Sequence, residues 1–186
     1  MTHIYFVRHA EPDFSVHDDM ARPLTEKGLR AAEGLRTFFA DIDIAAFYSS
    51  PYKRAVQTIK SAAEAKRQTI SVIPDFRERA VSDEWIADFN SFAKSQWSDF
   101  DFKLPGGESL QETQARNIRA LHVLLEKHPD ESIVVGGHGT AISTIMNYFD
   151  PAFSYEDFVR IQKRMPFVLL FRFDKRQFID YSFLLP

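Results

Sequence analysis

At 186 residues and 45% hydrophobic content, with 18 Phe, the chain suits one domain over residues 1–186 with a proper core. It has no cysteine, which excludes disulfides and thiolate metal sites, and none of its apolar runs approaches the length of a membrane span. A formal net charge of −3 creates no global basic field, which argues against nucleic acid as a partner; a bound anion has to be held by a local cluster.

"MTHIYFV" runs directly into a buried strand, with no charged segment ahead of an apolar one, so the expected setting is soluble and cytoplasmic. The strand ends in Arg8 and His9, and a polar, turn-rich loop follows to residue 23. "LTEKGLRAAEGLRTFFA" predicts a helix with Thr25 as N-cap and Leu29, Ala32, Leu35, Phe38 and Phe39 on one face. "AAFYSS" predicts a short strand. A helix from Pro51 to about Ala63 comes next, with Ser50 as its cap and Pro51 in its first turn. "TISVIP" is another short β-branched strand. Residues 76–104, rich in Trp, Phe and Asp, are expected to form a mostly helical insertion or lid.

"GGESLQETQARNIRALHVLLEKHP" predicts a helix ending before Pro129, with Ala115, Ile118, Leu121 and Leu125 as its buried stripe. "ESIVVGGHGTAISTIMNYF" reads as strand, glycine turn and helix. "PFVLLFRF" and "FIDYSFLLP", joined by "DKRQ", read as a late pair of strands. Strands alternating with helices predict an α/β three-layer sandwich with a mostly parallel central sheet.

Three strand ends in this pattern carry reactive side chains: Arg8-His9, "YSSPYKRAVQT" with Arg54, and "VVGGHGT" with His138. In open α/β sheets the carboxyl ends of strands converge on one crevice. Two guanidiniums in one crevice repel each other unless an anion lies between them, and arginine suits bidentate recognition of phosphate oxygens. Gly136, Gly137 and Gly139 are expected to let backbone approach that anion at a helix N-terminus.

These segments resemble the histidine phosphatase superfamily, also called phosphoglycerate mutase-like. "VRHAEP" is similar to its Arg-His-Gly signature with Ala10 in place of glycine, and "SSPYKRAVQT" to its Ser-Pro-x-x-Arg-Ala-x-Gln-Thr block. "LPGGES", "VVGGHGT" and "LTEKG" are similar to three further blocks, and together the five span residues 4 to about 145. The resemblance implies a phosphatase or phosphoglycerate mutase-like enzyme with His9 as nucleophile and Arg8, Arg54 and His138 as the clamp on the phosphoryl oxygens. It implies no metal and no cofactor. Gly139 and Glu108 are carried over as substrate-binding residues. The general acid is carried onto Glu78 in "FRERAVSDEW"; the Trp-Glu-Gly that often follows is missing, which leaves Glu84 and Glu108 as rivals.

The implied reaction is hydrolysis of a small phosphorylated metabolite through a phosphohistidine. The other readings are mutase-type phosphotransfer, a protein phosphohistidine or phosphoserine phosphatase, and a non-catalytic phosphate-binding module. Compactness and the absence of a sheltering segment outside residues 76–104 favour hydrolysis over mutase chemistry. The full set Arg8, His9, Arg54 and His138 favours an enzyme over a binding module. Arg79, Arg116, Lys163 and Arg164 read as solvated side chains, His17 with Asp18 and Asp19 as a polar loop, and His122 and His128 are assigned no role. Substrate identity and oligomeric state have no signature in the sequence.

Overall fold

The computed structural model describes residues 1–84 and 86–184; Trp85 of the expected lid, and Leu185 and Pro186 at the end of the expected last strand, lie outside them. Six strands form one sheet in the order β3-β2-β4-β1-β5-β6. They are β1 (Thr2–Arg8), β2 (Ala46–Ser49), β3 (Ile70–Val72), β4 (Ser132–Gly137), β5 (Phe167–Asp174) and β6 (Gln177–Leu184). β3, β2, β4 and β1 pair in parallel, β5 pairs antiparallel to β1, and β6 pairs antiparallel to β5. The sheet is therefore mixed, parallel across its centre, as the alternation of strands and helices predicts.

Alternate residues of β1 serve opposite faces, as the period of a strand requires. Tyr5 and Val7 pack with Leu35 and Phe39 from α1 (Glu26–Phe38) and its C-terminus, and with Ile59, Ala62 and Ala63 from α2 (Lys53–Ala65). Ile4 and Phe6 pack on the other side with Leu121 and Leu124 from α4 (Leu110–Lys127) and Ile142 and Ile145 from α5 (Gly139–Phe149). Phe158 of the short α6 (Tyr155–Ile161) joins this second layer. Ile4, Phe6 and Val7 are at most 1% exposed, and burying each contributes roughly 1.5–3 kcal/mol. No helix among the described residues is long and apolar enough to cross a membrane.

Several local expectations are corrected. α2 begins at Lys53 with Tyr52 as N-cap, not at Pro51. Ser50 does not cap it: it stands three residues ahead of Lys53, and its Oγ lies on His138 Nε2 (2.7 Å). Leu29 is exposed, while Gly28, Ala32 and Leu35 are the buried residues of α1. Ala115 is exposed too, while its neighbour Arg116 is buried; the inner face of α4 carries Thr113, Gln114, Arg116 and Asn117 beside its apolar stripe. The described residues of 76–104 hold one helix, α3 (Phe89–Ser98), rather than being mostly helical, and a 3-10 turn (Pro74–Phe76) leads into them. α6 is an addition; it is short, but its Ser154–Asp157 capping box was legible.

Candidate active site

The parallel register sets the strand ends side by side, with Arg8 opposite Gly137 and Ser49 opposite Gly136. The ladder continues one residue further, His9 N donating to Gly137 O (3.0 Å) and Ser50 N to Gly136 O (2.9 Å). His9, Ser50 and His138 are thus neighbours by backbone geometry before any side chain is considered.

His9 is buried, and among the described residues the only hydrogen bond of its ring runs from Nδ1 to Ala10 O (2.8 Å). A carbonyl only accepts, so the ring proton sits on Nδ1 and the lone pair on Nε2. Burial first, then the charges of Arg54, Arg8 and Arg22, pull the His9 pKa down to about 3 against the opposing bond to Ala10. The imidazole is neutral across the physiological range. Ala10 is held in turn, its amide donating to Thr58 Oγ1 (3.0 Å) on α2.

His138 is fully buried, its ring 5.3 Å from that of His9 and 4.8 Å from that of Tyr52. Ser50 Oγ lies 2.7 Å from its Nε2, while Nδ1 is buried without a partner among the described residues. Burial, with the neighbouring His9, Arg54 and Arg8, holds its pKa well below the ordinary value. Arg8 uses Nη1 on the carbonyls of Ile161 (3.1 Å), Gln162 (2.6 Å) and Arg164 (3.0 Å), which end α6. Its Nε is buried and unpartnered among the described residues. Arg8 Nε and His138 Nδ1 are thus two buried polar atoms of this sheet end left without a partner among the described residues. Burial lowers the Arg8 pKa to about 10, with Glu78 opposing.

Gly139 lies under the Arg8 guanidinium: a Cβ there would stand 3.0 Å from Nε and 3.1 Å from Cζ. The glycine thus makes room for the arginine. Arg54, 4% exposed, stacks on Tyr52 (4.8 Å) and uses Nη1 on the carbonyl oxygen of Asp19 and, at 3.2 Å, on its carboxylate. The same Asp19 oxygen is 2.8 Å from Arg22 Nη1.

Glu78 sits on the N-terminus of α5. Its Oε2 accepts from Thr140 N (3.0 Å), and Oε1 from Ala141 N (3.0 Å) and Arg79 N (2.9 Å). That places the carboxyl next to His138, the N-cap of α5, where a helix end favours negative charge. Glu84 is instead on an exposed turn. Glu108 faces inward, its Oε1 accepting from Arg77 Nη2 (2.6 Å) and Arg116 Nε (2.9 Å), its Oε2 from Arg116 Nη2 (2.9 Å) and Ala80 N (3.1 Å). Burial pushes its carboxyl up, but bonds from Arg116 and Ala80 and the charges of Arg116 and Arg77 outweigh this and leave its pKa lowered. Paired with the Arg77 and Arg116 guanidiniums, Glu108 is part of the scaffold behind Glu78.

Arg79 and Arg116 are each 3% exposed, so the solvated reading of both is overturned. Arg79 lies over the rings of Phe89 (5.4 Å) and Phe92 (5.1 Å) and donates to Gln96 Oε1. Ser50, Tyr52 and Asp19 were missed as site residues. The first two flank Arg54 in a block already singled out, and that adjacency was the available signal; Asp19 had none, because only folding brings the loop to Arg54.

A family model described as the histidine phosphatase superfamily (branch 1) matches residues 4–179. The chain belongs to the histidine phosphatase superfamily. Membership places it among phosphatase- and phosphoglycerate mutase-like enzymes. Over 167 residues it is 26% identical to a 2,3-bisphosphoglycerate-dependent phosphoglycerate mutase of Gloeobacter violaceus, covering 81% of this chain and 76% of that one. It is 27% identical over 163 residues to a metal-independent phosphoserine phosphatase of Arabidopsis thaliana, covering 78% and 67%. The fold matches that of a putative alpha-ribazole-5'-P phosphatase of Escherichia coli with a TM-score of 0.77 at 17% identity, covering 99% and 95%. This histidine phosphatase fold brings Arg8, His9, Arg54, Glu78, His138 and Gly139 to one end of the sheet.

Proposed function

We propose that the protein is a metal-independent phosphomonoesterase acting on a small phosphorylated metabolite through a phosphohistidine on His9. The observation that carries this reading is the buried, neutral His9, its Nδ1 proton tied to Ala10 O and its Nε2 lone pair free beside the buried Arg54 and the part-buried Arg8. The phosphoryl group bridges the Arg8 Nε edge, Arg54 and His138 Nδ1, which satisfies the two unpartnered buried atoms. To reach Arg54 it displaces the Asp19 carboxylate.

In the first step the Nε2 lone pair forms the N–P bond as the P–O bond to the leaving group breaks. The departing oxygen takes a proton from the Glu78 carboxyl and leaves as the alcohol. In the second step water attacks phosphorus, gives a proton to the Glu78 carboxylate, and the N–P bond breaks to release phosphate. The phosphoryl transition state is loose, so positioning and charge stabilisation by the two guanidiniums supply most of the acceleration.

The test is hydrolysis of p-nitrophenyl phosphate in excess EDTA by the wild type and by His9→Ala. Activity that survives EDTA and falls by about 10⁴-fold or more in the variant supports the reading; equal rates in the two proteins refute it. The Gloeobacter relative favours a second reading, in which the phosphohistidine passes its phosphoryl group to a second hydroxyl. Release of inorganic phosphate in step with alcohol separates hydrolysis from that transfer.

A further inference from the structure

Glu78 lies on an irregular stretch of chain, so something other than a helix or a strand ladder must hold it. Arg116 of α4, 3% exposed, does so from behind. Its Nη1 donates to the carbonyls of Asp75 (2.7 Å) and Arg77 (2.8 Å), and its Nη2 to that of Glu78 (3.3 Å). The guanidinium also makes a two-pronged pair with Glu108, Nε to Oε1 and Nη2 to Oε2, both at 2.9 Å.

Glu108 closes the other side of the stretch. Its Oε2 accepts from Ala80 N (3.1 Å), its own amide donates to Ala80 O (2.8 Å), and Arg77 Nη2 reaches its Oε1. Gly107 permits this closure, because a Cβ there would stand 2.3 Å from Val81 O. One ion pair therefore grips the main chain at residues 75, 77, 78 and 80, on both sides of Glu78.

We propose that the Arg116–Glu108 pair is the positioning device for the proton donor of the reaction: it sets the main chain so that the Glu78 carboxyl lands on Thr140 N and Ala141 N beside His138. This rests on Glu78 being the acid that protonates the leaving oxygen. The planar guanidinium, with its five N–H donors, serves three carbonyls and a carboxylate at once, which a lysine ammonium with three donors on a flexible stem cannot. The pair touches no reacting atom, so Arg116 and Glu108 are positioning residues.

Leaving groups separate positioning from simple support. p-Nitrophenolate departs without a proton, whereas the alkoxide of β-glycerophosphate requires one. The readout is the ratio of kcat/KM on β-glycerophosphate to that on p-nitrophenyl phosphate. Glu78→Gln is the reference variant and is expected to lower this ratio by about 100-fold, within the usual range for general acid catalysis. Arg116→Lys is expected to lower it by about tenfold or more. Because Arg116→Lys can fail to fold, the double variant Arg116→Met/Glu108→Leu, which leaves no unpaired buried charge, is measured beside it. Cooperative thermal unfolding shows that each variant is folded. A folded Arg116→Lys or double variant with the wild-type ratio, even if both rates fall together, overturns the positioning role. A wild-type ratio in Glu78→Gln instead removes Glu78 as the acid, a failure that reads differently from the first.

Discussion

Along the sheet end, His9 and Ser50 take their places from ladder bonds to Gly137 and Gly136, and Arg8 and His138 from the strands that end or begin there. Across the crevice, Asp19 and Glu78 ride on loops whose positions come from side chains: Arg22 and Arg54 for one, Arg116 and Glu108 for the other. The first set shares the stability of the core. The second is only as well placed as a few charge-assisted bonds allow, and such bonds lose far more when one partner goes than when both do. On the proposed mechanism, the groups that would hold phosphorus stand on the rigid part, and those that would move, or exchange a proton, stand on the adjustable part.

The comparison is broken most severely by Arg8→Lys. A lysine cannot hold the three carbonyls at the end of α6 and also present an Nε edge to an anion, so kcat/KM on p-nitrophenyl phosphate is expected to fall about 10²–10³-fold, as when one preorganised donor is lost. Retention of more than a tenth of the activity removes Arg8 from the anion site.

The sheet end also makes a pH signature. His9 is held neutral, its pKa lowered from 6.5 to about 3, and His138 is lowered as well. Between these values and 6.5 the unfolded chain binds more protons than the folded one, so stability is full above pH 6.5 and declines as pH falls toward about 3. Each histidine contributes a slope of up to about 1.4 kcal/mol per pH unit. Urea unfolding from pH 7 to pH 4 measures the slope, and His9→Ala is expected to flatten it; an unchanged slope in that variant contradicts a buried neutral His9.

Ser50→Ala leaves the buried His138 Nε2 without its hydroxyl partner and is expected to cost about tenfold in kcat as well as about 1–3 kcal/mol in stability. A loss confined to stability would mean that Ser50 only packs. The smallest effect belongs to the loop. Asp19→Asn weakens an internal carboxylate that competes for Arg54, so inorganic phosphate should inhibit about threefold more tightly, a small effect because the Asp19 side of the pair is open to solvent. Weaker inhibition would show that Asp19 holds Arg54 in its useful orientation instead of occupying it.

The residues at strand ends were legible in the sequence because Arg8-His9, "SSPYKR" and "GGHG" each interrupt an apolar run at a place where an α/β sheet has its crevice. Glu78 was legible through the resemblance alone, and Glu108 was seen but misplaced. Arg116 was misread because helical periodicity scores an arginine as outward, and nothing local reveals the bare carbonyls of a distant loop. Leu29 and Ala115 fail for the same reason: a helix turns its apolar stripe toward whatever lies beside it, and here that includes polar backbone.

By itself, the sequence determined the alternation of strands and helices, the core face of β1, and the histidines and arginines that gather at its end. Those follow from side-chain period and from backbone chemistry acting over a few residues. Tertiary structure decided the tautomer of His9, the carboxylate resting on Arg54, and the ion pair that carries Glu78. Each of these depends on groups far apart in the chain, 35 residues from Asp19 to Arg54 and 38 from Glu78 to Arg116, whose meeting is fixed only when the two helical layers close on the sheet.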